Sequence, residues 1–166
     1  MPRMQSDVIA LDVTSGNGHV LIESTVMTKL SVYRQGQESM PEAGGILLGY
    51  RRDPHLHVID ATVPSQDDRG QRARFWRSAS AHQQVAQEAW RRSGGTLDYV
   101  GEWHTHPQLY PCPSTIDIGE WAKISASRRG EDMIFLILGT EYAIWLGVDD
   151  GRGIRKLRQT SIDCLS

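Results

Sequence analysis

Apolar residues in this chain fall into short runs of two different periods, which together predict a succession of strands and helices. Val8–Val13 and His19–Glu23 are β-rich runs on either side of Ser15-Gly16-Asn17-Gly18, residues that tolerate the positive φ angles of a tight turn, so the chain is expected to open on a hairpin. Ser24-Thr25 is placed to cap a helix with Val26, Leu30 and Tyr33 on one face, closed by the polar run Gln35–Ser39 and by Pro41. Gly45–Tyr50 and Leu56–Val63 predict a second hairpin reversing through Arg51-Arg52-Asp53-Pro54. Gln66–Gln71 reads as a polar loop and Ala73–Trp76 as a short strand. A longer helix, capped by Ser78 or Ser80, presents His82, Val85, Ala86, Ala89 and Trp90 on one face and stops at Ser93-Gly94-Gly95, where a left-handed cap is tolerated. Tyr99–Thr105 then predicts a strand, Ile116–Arg128 a helix, and Met133–Leu138, Tyr142–Val148 and Ile154–Arg158 three closing strands. The pattern as a whole is that of a mixed α+β fold, a curved mixed sheet flanked by helices, with no internal repeat.

Composition narrows the class without naming a chemistry. At 166 residues, 39% hydrophobic and 23% charged, the chain suits one soluble domain spanning residues 1–166. Its 18 basic and 20 acidic residues are interspersed, giving a net charge of −2 and no basic stripe, so nucleic acid is not the expected partner. The arginine pairs at 51–52, 91–92 and 128–129 read as solvated charges at element ends. No run approaches the ~20 apolar residues of a membrane span, and MPRMQSD lacks a signal-peptide apolar region, so a cytoplasmic protein is expected. Cys112 and Cys164 are expected as free thiols.

Gly101-Glu102-Trp103-His104-Thr105-His106-Pro107 changes the picture. Residues two apart on a strand share a face, so both imidazoles can reach one ion, and Pro107 ends the strand immediately beyond them. Asp117 follows in Ser114-Thr115-Ile116-Asp117, a spacing with two compatible readings. It is a capping box at a helix start, and it also turns Asp117 toward the histidines to complete a His104, His106, Asp117 set of the kind catalytic zinc uses. Hydrolysis of an amide also needs a group that takes a proton and returns it to the leaving nitrogen. Glu42 is the best candidate, because it precedes Gly45-Ile46-Leu47-Leu48-Gly49, a strand whose bare glycines permit close approach. Glu102, on the histidine face, is a candidate partner for an imidazole. Cys112, held in Pro-Cys-Pro, is poorly placed to ligate. His55-Leu56-His57 repeats the His-x-His spacing, but no Ser-x-x-Asp follows it; its histidines are expected to face water.

Taken together, Glu42 with Gly45 and Gly49, His104-Thr105-His106-Pro107, and Ser114 with Asp117 resemble the full signature of the JAB/JAMM (MPN-plus) metalloproteases over about Glu42–Leu146. The resemblance implies a JAB/MPN-like fold, one Zn²⁺ on His104, His106 and Asp117, Glu42 as general acid/base and Ser114 as stabiliser of the oxyanion. Gly-Glu-Trp-His-Thr-His-Pro, Pro113-Ser114, Phe75, His82 and Trp90 are most similar to the small bacterial JAB peptidases of CBASS antiphage operons. It further implies a peptidase or isopeptidase cutting after the C-terminus of a conjugated protein, either a cGAS-like nucleotidyltransferase or a ubiquitin-like protein. Such peptidases are encoded beside the E1-like and E2-like enzymes that make the linkage. Two other classes stay open: a catalytically silent scaffold of the same fold, which the intact five-residue set argues against, and an amidohydrolase acting on a small-molecule amide.

Overall fold

The computed structural model describes residues 8–11, 18–64, 69–71, 74–76, 79–128 and 130–161. The chain order is β1 (Val8–Leu11), β2 (Val20–Ile22), α1 (Ser24–Ser31), β3 (Gly44–Arg52), β4 (His55–Ala61), β5 (Arg69–Gln71), β6 (Arg74–Trp76), α2 (Ala79–Arg92), β7 (Leu97–Thr105), α3 (Thr115–Ser127), β8 (Met133–Leu138), β9 (Ile144–Asp149), β10 (Ile154–Lys156) and β11 (Arg158–Ser161). Nine strands form one sheet in the order β10-β9-β8-β7-β3-β4-β2-β1-β11, and β5 pairs with β6. The β2–β4 and β7–β8 pairs are parallel and the rest antiparallel, so the sheet is mixed as expected. β10 and β11 stand at opposite ends of that order, yet only Leu157 separates them in sequence. The sheet therefore curls until its two edges approach. Leu157 is buried at the seam, its N–H donating to the Leu146 carbonyl at 2.8 Å.

Side-chain alternation on β8 divides the interior in two. Ile134, Leu136 and Leu138 join Leu47, Val100, Trp103 and the α1 residues Val26 and Leu30 on one face. Met133, Phe135 and Ile137 join Trp121 of α3 and Trp145 on the other. All six β8 side chains are buried, which is why that strand reads as an unbroken apolar run.

The glycines of β3 act as expected. A Cβ on Gly45 would lie 2.3 Å from the Thr62 carbonyl oxygen, and one on Gly49 2.3 Å from that of His57. Gly101 on β7 is tighter still, 1.8 Å from the Ile134 oxygen across the parallel pair. Gly101→Ala should therefore force β7 and β8 apart and destabilise the fold by about 3 kcal/mol. The urea midpoint measures this, and an unchanged midpoint would contradict the packing.

Several local expectations need correction. Helix α1 starts at Ser24 with Glu23 at its N-cap and no side-chain cap hydrogen bond, and Tyr33 lies beyond its end. On α2, His82 is buried and Ala86 and Ala89 are half-buried on the expected face, but Val85 and Trp90 on that face are half exposed. Ser80 lies inside that helix and Ser78 outside the described residues. Within Gln66–Gln71, residues 69–71 form strand β5, and residues 66–68 lie outside the described residues, as do Ser15, Gly16, Asn17 and Cys164. Arg51 and Arg128 are not solvated. Arg51 donates to the Asp132 carbonyl at 2.5 Å and pairs with Asp98, and Arg128 reaches Asp98 at 2.8 Å and Glu131 at 2.9 Å. They fasten β3, β7 and the start of β8 together, chiefly through Asp98, a carboxylate distant in sequence from both arginines that local charge cannot announce. Among the described residues no helix is long and apolar enough to cross a membrane.

Candidate metal centre

Three elements bring the five candidate residues together. β7 carries His104 and ends at Thr105, and the His106 N–H is already bonded to the Leu138 carbonyl at 3.0 Å, so the strand direction persists one residue past its last pair. Pro107 then stops it, and both imidazoles stay on one side, their ring centroids 4.7 Å apart. β3 pairs antiparallel with β7 in a register that sets Gly44 against His104, which brings Glu42 alongside the histidines.

The third element is α3. Ser114 is its N-cap, and the capping box is complete: the Asp117 N–H donates to Ser114 Oγ at 3.1 Å, and the Ser114 N–H donates to Asp117 Oδ2 at 2.8 Å. Asp117 and Trp121 are one turn apart and share a helix face. Trp121 is buried, stacked on Phe135 at 4.7 Å and on Trp145 at 5.5 Å, with the His104 ring 5.8 Å away. That anchor fixes the rotation of α3 and turns Asp117 to the histidines. The positive end of the helix dipole favours its carboxylate there.

The donor atoms converge. His104 Nε2 and His106 Nε2 are 3.0 Å apart, Asp117 Oδ1 is 3.4 Å from the first and Asp117 Oδ2 3.2 Å from the second. Bonds of about 2.1 Å in a tetrahedral site put neighbouring donors about 3.4 Å apart, so these spacings fit a small divalent cation. Glu42 offers a further oxygen within 4.8 Å of both imidazoles. It is 6% exposed, and its Oε2 is buried without a hydrogen-bond partner. An orphaned buried carboxylate beside two facing imidazoles is costly for folding unless something else uses it.

The electrostatics follow from this packing. Burial raises the Glu42 carboxyl to about 7, with Asp117 adding to the effect and His106 opposing it. Burial works against the Asp117 carboxylate, but hydrogen bonds from His104 and His106 outweigh it and hold Asp117 far below the usual carboxylate range. Burial likewise opposes the His106 cation, and the Asp117 hydrogen bond and charge overcome that and raise its pKa.

The outer nitrogen of His106 meets Gln108, not Glu102: Nδ1 lies 3.4 Å from Gln108 Oε1, which also accepts the Cys112 N–H at 3.2 Å. Glu102 instead accepts the Tyr99 hydroxyl at 3.1 Å. Gln108 was missed from sequence; an amide two residues past a candidate ligand histidine was the available signal. Cys112 is exposed and free. At His55-Leu56-His57, Leu56 and Val58 are buried as expected; His57 pairs with Glu23 at 2.5 Å and His55 Nδ1 accepts the His19 N–H at 3.0 Å.

Comparison with known proteins gives the family and the fold. Residues 26–155 match the family described as prokaryotic homologs of the JAB domain. An Escherichia coli protein named CD-NTase/cGAS isopeptidase is 38% identical over 146 residues, 88% of this chain and 92% of that one. A Vibrio cholerae protein of the same name is 41% identical over 144 residues, 87% of this chain and 90% of its own length. The solution structure of a Desulfitobacterium hafniense protein shares the fold, with a TM-score of 0.55 at 18% identity, covering 81% of this chain and 87% of that one.

Proposed function

The chain belongs to the family of prokaryotic JAB-domain proteins, and from that premise we propose that it is a zinc-dependent isopeptidase. Its substrate is the amide bond after the C-terminus of a conjugated protein, a cGAS-like nucleotidyltransferase or a ubiquitin-like protein. It reverses in the cytoplasm, within bacterial CBASS antiphage defence, what E1-like and E2-like enzymes assemble. The names carried by relatives similar over most of their length support the substrate class. The observation that carries the chemistry is the convergence of His104, His106 and Asp117 beside the orphaned, buried Glu42 carboxylate.

In this reading His104, His106 and Asp117 hold Zn²⁺, since Asp117 stands at donor spacing from both imidazoles. Glu42 stands just outside as the base. When bound, zinc lowers the pKa of its water toward ~7 and polarises the scissile carbonyl. Glu42, raised to about 7, is poised both to accept the proton of the attacking water and to return it to the leaving nitrogen. Ser114 Oγ accepts the Asp117 N–H, which leaves its own hydroxyl hydrogen to donate to the developing oxyanion. Gln108 takes the outer nitrogen of His106, which would leave the inner nitrogen unprotonated as the donor to a metal.

The test is a nucleotidyltransferase joined through its C-terminus to a reporter protein. The purified chain should contain near-stoichiometric zinc and cut at the junction, lose cleavage on chelation and regain it with zinc, while leaving small amides intact. Bound zinc without cleavage would remove the substrate assignment. A protein that holds no zinc would remove the mechanism.

A further inference from the structure

Glu42 Oε2 has no hydrogen-bond partner, so the place of that carboxylate is set largely by the backbone on either side of it. That backbone is held from behind. Thr105 lies between the two histidines in sequence, and strand alternation sends its side chain to the opposite face, where it is fully buried. Its N–H donates to the Ala43 carbonyl at 2.9 Å, and the Ala43 N–H donates not to a carbonyl but to Thr105 Oγ1, at 3.0 Å. The Thr105 hydroxyl in turn donates to Gln35 Oε1 at 2.9 Å, and Gln35 Nε2 donates to the Met40 carbonyl at 3.2 Å. Gln35 is itself 0% exposed.

The directions matter. A hydroxyl has one hydrogen, and once Gln35 takes it the lone pairs of Oγ1 are presented to the Ala43 N–H. A single amide and a single hydroxyl thus hold Met40, two residues before Glu42, and Ala43, one residue after it. We infer that Gln35 and Thr105 are positioning residues for the proposed reaction, a clamp that fixes Glu42 against the His104–His106 strand without touching metal or substrate. This rests on the functional reading above. A proton-transfer group displaced by about 1 Å can cost ~10²-fold in rate, so the clamp governs kcat and not affinity.

The test uses Thr105→Val, which keeps shape and removes the hydroxyl, with Thr105→Ser and Gln35→Leu beside it. Zinc content, kcat and KM on the conjugate, and amide hydrogen exchange at Ala43 are measured together. Thr105→Val should exchange faster at Ala43 and lose about 10- to 100-fold in kcat, with KM and zinc content unchanged. Thr105→Ser should restore both rate and protection. If Thr105→Val does not fold, Gln35→Leu, with the hydroxyl intact but undirected, should show the same pattern in milder form. Wild-type kcat in a folded Thr105→Val or Gln35→Leu protein overturns the inference, as does a loss confined to melting temperature. If wild type itself leaves the conjugate intact, the proposed function falls and Ala43 exchange alone decides the clamp, with unchanged protection in Thr105→Val overturning it.

Discussion

Glu42→Gln should lower cleavage of the conjugate by about 10³-fold or more while zinc stays bound and the fold is retained, the range expected when a general acid/base is removed. Stability separates this from structural damage. The Glu42 carboxyl is nearly inaccessible, its Oε2 is unpartnered, and its pKa is raised from 4.5 to about 7. In the metal-free protein the charged form is therefore disfavoured by folding. The penalty is absent below the unfolded value, grows between pH 4.5 and about 7 and is complete above that, on the order of 3 kcal/mol. Metal-free Glu42→Gln should melt no lower than wild type at pH 8, and its advantage should vanish as the pH approaches 4.5. Strong residual cleavage would remove Glu42 from the mechanism. A large fall in melting temperature would mean that the carboxylate is structural.

Asp117→Asn should empty the metal site, with affinity for zinc falling well over 100-fold, since losing even an outer partner of a ligand costs 10- to 100-fold. The fold should survive, because an amide oxygen can still accept the Ser114 N–H that closes the capping box. Competition with a chromophoric chelator measures the affinity, and zinc retained at wild-type strength would exclude Asp117 as a ligand. Asp117 also holds the His106 pKa up in the metal-free protein, so zinc must displace a proton there. Wild-type affinity should therefore begin to fall at a pH above the ordinary histidine value as the pH is lowered. In Asp117→Asn that fall should move to lower pH, because the carboxylate that favoured the imidazolium has gone.

Legibility from sequence followed how local each constraint was. His104, His106 and Pro107 were readable because strand alternation and the proline stop act within three residues. Ser114 and Asp117 were readable because a capping box closes within one turn, as the structure shows. The curved mixed sheet was likewise expected, along with both hairpins. What could not be read depended on distant partners. On α2 the spacing turned His82 inward, where it meets Thr62, but it could not tell that Val85 and Trp90 of the same face would stay half exposed. Arg51 and Arg128 looked like turn charges because Asp98, which both reach, lies far from each of them in the chain. The division of Ile154–Arg158 at Leu157 arises because the residues on either side join opposite edges of the sheet. Gln35 read as the polar end of a helix, while Thr105, whose hydroxyl donates to its amide oxygen, lies 70 residues on.

The seam at Leu157 also bears on how the molecule is made. β11 pairs with β1, joining Val8–Leu11 to Arg158–Ser161, the most sequence-distant contact in the sheet. Loop-closure entropy makes such a pairing slow, and during synthesis its second half is translated last. Every residue from Glu42 to Asp117 leaves the ribosome before the strand that closes the curl. Once Phe135, Leu138 and Trp145, which anchor α3 and His106, have followed, every element of the candidate site is present before β11 pairs with β1 and closes the curl.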